Sequence, residues 1–486
     1  MFSYSVFKRV SQKTKQFVRY KHRPDHWSIL RKKIHPIDKA LNHMDDFYKQ
    51  VFNEKWLRIR KAMLGKQKYV AVINNFGDDT EAMQSLELTG ALNMRTLFSL
   101  EQGYIKEEKL KNMNNKAMDK ILRLDEELEQ KIQNKIEKEA NESAAQEKPT
   151  ASDFSLASSL EKAKFDTRRL IDIKDPLSTE ALHEFLPATE IKGREDFIPE
   201  SNHYKMYDPE THFSVKMEKE YDLPFPDHLN IYCYERDNKS DFDSPKRGCT
   251  DVFNYYLMDG GSILPILALD LRPGNRFLDM CSAPGGKSLL ALQTFFPDVV
   301  VSNDSSLSRL NRVRSVYSQF LYDFQEKWVK TGKIRLTNRD GRIISEEEYD
   351  RILVDVPCTT DRHSLHENEN NIFKPSRIKE RLNLPELQKE LLVNALKLVE
   401  RGGIVVYSTC SLSPIQNDGV VHVALKQIWE ETNMEFVVKD LSPALLQTRS
   451  VFEIAGKGLL RYGHLVLPKP SQNYGPTYFC KLQKIK

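Results

Sequence analysis

From Phe253 onward the sequence predicts a doubly wound α/β sheet. Three observations carry that prediction. Short β-branched runs alternate with stretches of helical periodicity, a glycine turn follows the first run, and acidic residues or cysteines stand at the ends of the others. Expected strands are 276–280, 299–303, 334–338, 351–355, 403–409, 436–439 and 478–482, and the first five alternate with helices such as 288–296, 307–322 and 385–399. The short β-rich ending predicts that the last strands pair antiparallel at one edge.

At 486 residues the chain exceeds the size of one core, so two or three units are expected. No apolar run reaches the ~18 residues of a membrane span. The net charge of +4 permits nucleic-acid binding without indicating it. Six cysteines without close C-x-x-C pairs exclude a disulfide framework and a zinc site, and no metal is expected. Cys480 reads as core, whereas Cys233 and Cys249 flank a polar loop without a motif.

Residues 1–24 carry seven Lys or Arg and no acidic residue, with Phe2, Val6, Val10 and Phe17 near helical spacing. This is the composition of a mitochondrial transit peptide and a matrix protein, with a basic RNA-binding tail as the competing reading. From His35 the apolar spacing predicts one or two amphipathic helices, and "KYVAVINNFGDD" a short strand running into a turn. Residues 25–120 are thus expected as a largely helical extension. Residues 121–165 are expected as a charged, low-complexity linker, 166–252 as a segment leading into the main domain, and 253–486 as that domain.

"RFLDMCSAPGGKSLLAL" reads as strand, glycine turn and helix, where backbone N–H groups approach a ligand closely. It is neither a P-loop nor a G-x-G-x-x-G turn. Asp304 ends the second strand, where a carboxylate holds ribose hydroxyls, and Asp340 lies past the third, where it could face an adenine amino group. With no phosphate cradle, S-adenosylmethionine fits better than a dinucleotide. The domain is therefore expected to be a Rossmann-like, S-adenosylmethionine-dependent methyltransferase sheet.

Strand four ends in "DVPCTTDRHS" and strand five in "YSTCSLSP". Neighbouring strands of this kind bring Asp355, Cys358 and Cys410 to one rim. A structural pair of thiols is the plain alternative. The chemistry that uses all three is methylation of cytosine C5, which becomes nucleophilic only after a thiolate adds to C6. A carboxyl group at N3 stabilises the charge that develops, and a second group assists elimination.

"DMCSAPGGK", "DVPCTTDRHS" and "STCSLSPIQNDGVV", in that order, resemble the Sun-domain family of RNA 5-methylcytosine methyltransferases, most closely its mitochondrial ribosomal-RNA branch. The resemblance implies that Cys410 is the nucleophile, that Cys358 assists release and that Asp355 meets N3. DNA cytosine methyltransferases use the "PC" cysteine instead, which makes Cys358 the rival nucleophile. Also implied are cofactor contacts from Cys281, Ser282, Ala283, Pro284, Gly285, Gly286, Lys287, Asp304, Arg309, Asp340, Gly341 and Asp355. Gln416-Asn417 departs from the Glu-Asn of many relatives.

Lys374, Arg377, Lys379 and Arg381 follow Cys358, and Arg309, Arg312 and Arg314 lie on the helix after strand two, positions suited to phosphate contact. No separate RNA-binding module is evident. The resemblance implies mitochondrial small-subunit rRNA as substrate, a role in ribosome assembly, and a heterodimer with an mTERF-family helical-repeat protein. A mainly non-catalytic assembly factor and a tRNA cytosine-C5 methyltransferase are the alternatives.

Overall fold

The computed structural model describes residues 35–108, 111, 213–345, 348–456 and 458–486. The transit-peptide and linker expectations, 1–24 and 121–165, lie outside the described residues.

The chain opens with α1 (Pro36–Phe52) and α2 (Lys55–Leu64). Pro36 suits the first helical position because its missing N–H has no partner there. Ala40, Met44, Tyr48 and Phe52, at i, i+4 spacing, form the buried stripe of α1. Next come β1 (Tyr69–Ile73), α3 (Asp79–Leu88) and β2 (Leu92–Asn93), followed by helical residues 94–108. After the undescribed stretch come β3 (Lys216–Lys219), β4 (Ile231–Cys233), β5 (Tyr255–Asp259) and α4 (Ile263–Ala268).

The expected alternation then runs as β6 (Asn275–Asp279), α5 (Gly286–Leu292), β7 (Pro297–Asn303), α6 (Leu307–Phe320) and β8 (Ile334–Thr337). It continues with β9 (Tyr349–Asp355), α7 (Asp361–His366), α8 (Ile378–Leu398), β10 (Val399–Thr409) and α9 (Val420–Glu431). The chain closes with β11 (Phe436–Asp440), β12 (His464–Val466) and β13 (Thr477–Lys484).

The large sheet has the order β3-β11-β13-β10-β9-β6-β7-β8, with β12 paired to β13. From β10 to β8 every neighbouring pair is parallel. Its two faces pack separate cores, because successive side chains point opposite ways. Leu278, Ile352, Val354, Val405 and Tyr407 share one cluster with α1, α8 and α9, while Phe277, Leu353, Ile404 and Val406 share the other with α4, α5 and α6. Both faces are covered, so these strands read as continuous apolar runs. The order reverses between β6 and β9, the crevice where such sheets hold ligands.

The N-terminal extension is largely helical, as expected, but β1 is also a central strand of a four-stranded sheet, β2-β4-β1-β5, with Val70–Ile73 all buried. That sheet draws β4 from the segment expected only to lead in, and β5 from beyond 253, because β1 needs a partner on each side. The last strands pair antiparallel at one side of the sheet, as expected, but they are not its outermost strand. Strand β13 inserts antiparallel between β10 and β11, and β3 covers the outer side of β11. Finally, α8 starts at Ile378, seven residues before the expected start, and carries Pro385 inside it, where burial of Leu384, Pro385 and Gln388 overrides proline's preference for a first turn.

Candidate active site

The expected cofactor residues gather at the carboxyl ends of β6, β7 and β8. Asn303, fully buried, ties these ends together. Its amide donates to the carbonyl oxygens of Met280 and Arg339, at 3.0 and 2.9 Å, and its oxygen accepts from Thr337 Oγ1 and the Arg339 N–H. In the β6–α5 turn, Gly285 has φ 108°, a conformation that favours glycine, and a Cβ on Gly286 would lie 2.8 Å from the Tyr256 ring. Backbone alone fits this turn.

Asp304 accepts from the Ser306 N–H through Oδ1, while its buried Oδ2 has no hydrogen bond and lies 3.4 Å from Arg309 Nη2. An orphaned carboxylate oxygen beside a bare glycine turn fits the hydroxyls of a nucleoside, and the site suits S-adenosylmethionine. Asp340 lies just past β8, at the same rim. Arg342 holds both its oxygens in a bidentate pair, and this donation draws the carboxyl below its ordinary pKa. Gly341, next to it, has no room for a side chain against Leu391 and Met280.

The chemical rim lies one strand over. Asp355 pairs in register with Ser408, whose hydroxyl donates to Oδ1 at 2.7 Å, and Lys287 Nζ meets Oδ2 at 2.7 Å. Cys358 and Cys410 face each other with sulfurs 3.0 Å apart; Cys358 is buried and Cys410 is exposed at the rim. All six cysteines are free.

The Cys358 turn is strained. Thr360, β-branched, has φ 43° and ψ 61°, a region such residues rarely occupy. Asp361, with no exposed surface, holds the turn in place. It accepts from Tyr48 Oη at 2.6 Å, the Leu412 N–H at 2.8 Å and the hydroxyls of Thr359 and Ser411. One carboxylate thereby joins both cysteine loops to α1. Gln416, the departure from Glu-Asn, uses both ends of its amide. Its oxygen accepts from the Thr359 N–H and Gln388 Nε2, and its own Nε2 donates to Thr359 Oγ1. An ionised carboxylate could not make that last bond.

The Cys358 sulfur beside it, and then Asp355, push the Cys410 thiol well above its usual pKa, while Lys287 opposes them. Burial works against the Lys287 ammonium, but Asp355 outweighs it and raises the pKa. Burial pushes Asp279 up to about 7, against a hydrogen bond from Ser288. An acid held protonated by folding stabilises the fold below its ordinary pKa near 3.8, and that stability fades as pH rises toward about 7. Asp279→Asn lacks the loss, so its Tm relative to wild type is expected to climb from pH 5 to pH 8. Melting curves at the two values check this; a constant difference excludes it.

Cys410 opens into a cleft of about 460 Å³. Its walls come from the rim and from the N-terminal module, including Gln67, Tyr69, Arg362, His363 and Thr477. These residues, Asp361 and Tyr48 went unseen in the sequence. The only available signal was the string "TTDRHS", which follows Cys358 and holds three of them. Of the basic residues, Arg377 pairs with Glu380 and Arg381 lies 4.6 Å from the Phe373 ring, so both are engaged within the fold. Lys379, Arg312 and Arg314 are exposed.

The family model of the 16S rRNA methyltransferase RsmB/F matches residues 266–457. The chain is 31% identical over 459 residues to the 5-cytosine rRNA methyltransferase nsun-4 of Caenorhabditis elegans, a match spanning 93% of this chain and 92% of that relative. With the 5-cytosine rRNA methyltransferase NSUN4 of Xenopus tropicalis it shares 32% identity over 484 residues, 99% of this chain and 98% of the other. A solved methyltransferase homologue from Pyrococcus horikoshii aligns with 92% of this chain and 98% of its own, at 17% identity and a TM-score of 0.48. Glycine turn, strand-end carboxylates and paired thiols agree with these sequence matches, and the chain belongs to the Sun-domain family of RNA cytosine-C5 methyltransferases, which take their methyl group from S-adenosylmethionine.

Proposed function

We propose that this enzyme methylates C5 of a cytosine in the small-subunit rRNA of mitochondria, with Cys410 as nucleophile. The observation that carries this reading is the pair of thiols 3.0 Å apart beside the Lys287–Asp355 ion pair, open to a cleft through Cys410. S-adenosylmethionine, when bound, supplies an electrophilic methyl group. Cys281 to Lys287, Asp304, Arg309, Asp340, Gly341 and Asp355 hold it.

As the base enters, Cys410 loses its proton to water in the cleft and its sulfur bonds to C6, which makes C5 nucleophilic. Asp355 at N3 stabilises the charge that builds on the ring, with Ser408 and Lys287 fixing its two oxygens. Once C5 carries the methyl group, its hydrogen leaves as a proton and the C6–S bond breaks. Cys358 takes this proton as it passes its own to solvent. Raised in pKa, Cys410 rests as a thiol and leaves its proton only as substrate enters.

The mitochondrial address rests on the basic composition of residues 1–24, and the rRNA substrate on the relatives' names. An mTERF-family protein is the proposed partner, supplying RNA surface in a heterodimer that also serves ribosome assembly. Incubation with mitochondrial small-subunit rRNA, mitochondrial tRNA and labelled S-adenosylmethionine tests the substrate. Label is expected in the rRNA, and label confined to tRNA overturns that assignment. A catalytically dead chain that fully restores mitoribosome assembly would make the assembly role primary. For the cofactor, Asp304→Ala is expected to weaken S-adenosylmethionine binding about 10- to 100-fold by titration calorimetry, since it removes a buried charged acceptor. Unchanged affinity removes Asp304 from the site.

A further inference from the structure

Beside the cleft that holds Cys410 lies a second hollow of about 250 Å³. Lys66 and Tyr69 belong to the walls of both, so they form the divide between them. Tyr69 begins β1, and it is 47% exposed while the four residues after it are buried. An aromatic ring left half in water at the mouth of a reaction cleft adds little to the core. On another wall of the second hollow Tyr234 and Phe242 stack, centroids 4.7 Å apart and planes 29° from parallel. Tyr474 also lines it. Its side chain is 1% exposed and its hydroxyl has no hydrogen-bond partner among the described residues. A buried phenol without a partner costs free energy that a ligand can recover.

We propose that this second hollow receives the nucleotide adjacent to the target cytosine, with its base stacked on Tyr69. The proposal rests on the reading that cytosine enters the Cys410 cleft. A target base drawn out of its stack leaves its neighbour with one face bare, and an aromatic side chain takes the place of the lost base. Flat rings on the walls accept any base, which suits a site adjoining the one where chemistry selects cytosine. Two amines stand nearby for phosphate. Lys68 Nζ donates to the Glu235 carbonyl at 2.8 Å, and Lys66 pairs with Asp241 where both are largely exposed. An exposed pair of that kind is weak, so Lys66 can exchange its carboxylate for a phosphate at little cost.

The test uses the full chain and a short single-stranded RNA that wild type methylates, in normal form and with an abasic ribose on either side of the target. On normal RNA, Tyr69→Ala is expected to raise KM about tenfold, with kcat moved far less and S-adenosylmethionine affinity unchanged. Tyr69→Phe keeps the wild-type KM. An abasic neighbour on one side raises the wild-type KM to the Tyr69→Ala level and leaves the Tyr69→Ala value where it was. A Tyr69→Ala KM equal to wild type, or equal losses on abasic RNA in both, overturns the proposal alone. A wild-type chain that methylates no cytosine-containing RNA overturns the reaction reading and this inference with it. The half-exposed ring contributes little to folding, and melting curves check it.

Discussion

Cys358→Ala, incubated with S-adenosylmethionine and substrate RNA, is expected to accumulate an RNA–protein adduct that survives SDS, and Cys410→Ala to form none. The two sulfurs are 3.0 Å apart, so distance does not distinguish them. Exposure does: Cys410 lies on the cleft wall, whereas Cys358 is buried and its sulfur accepts the Thr360 N–H at 3.4 Å. The attacking atom must reach C6, and the proton acceptor needs only to reach C5 afterwards. Loss of Cys410 is therefore expected to lower methyl transfer on the order of a thousandfold or more, while loss of Cys358 stops turnover after the bond has formed. Denaturing gels and a single-turnover assay read both. The reverse pattern makes Cys358 the nucleophile.

Asp361→Ala is expected to destabilise the protein by about 3 kcal/mol or more and to lower Tm by roughly 3–4 °C or more. The substitution strands buried donors from Tyr48 and Leu412 and releases the hydroxyls of Thr359 and Ser411. It also frees the left-handed turn at Thr360, so methyl transfer is expected to fall beyond what partial unfolding explains. Burial raises the Asp361 pKa, and the hydrogen bonds from Thr359, Tyr48 and Leu412 oppose that rise. Tyr48→Phe removes one donor and keeps the carboxylate, so a loss of about 1 kcal/mol is expected. If Asp361→Ala melts within 2 °C of wild type, the carboxylate is not the tie between the loops. If Tyr48→Phe slows methyl transfer while Tm holds, α1 helps set the geometry of the thiols.

Much of the α/β domain was legible because a strand buried on both faces must be apolar throughout, and the chain writes that condition locally. Runs such as "RILVD" and "GIVVYST" fall on β9 and β10. Asp304, Asp355, Cys358 and Cys410 were legible for a related reason, since a parallel sheet brings the carboxyl ends of its strands to one rim. Strand insertion was not legible. Nothing local in 477–484 says that it enters between β10 and β11, and 216–219 is too polar to read as a strand at all.

The sheet, and the carboxylates and two thiols at its strand ends, could be read from local sequence. That the cleft joins segments about 300 residues apart emerges only from the packing. Tyr48 and Asp361 are 313 residues apart and meet in one hydrogen bond; Tyr69 lines the same cleft as Cys410. Such pairings leave no periodic trace, because a single buried donor or an exposed ring is chosen for a partner that folding brings from elsewhere. Periodicity records which face of an element is buried, whereas the partner across the cleft depends on how separately folded elements pack.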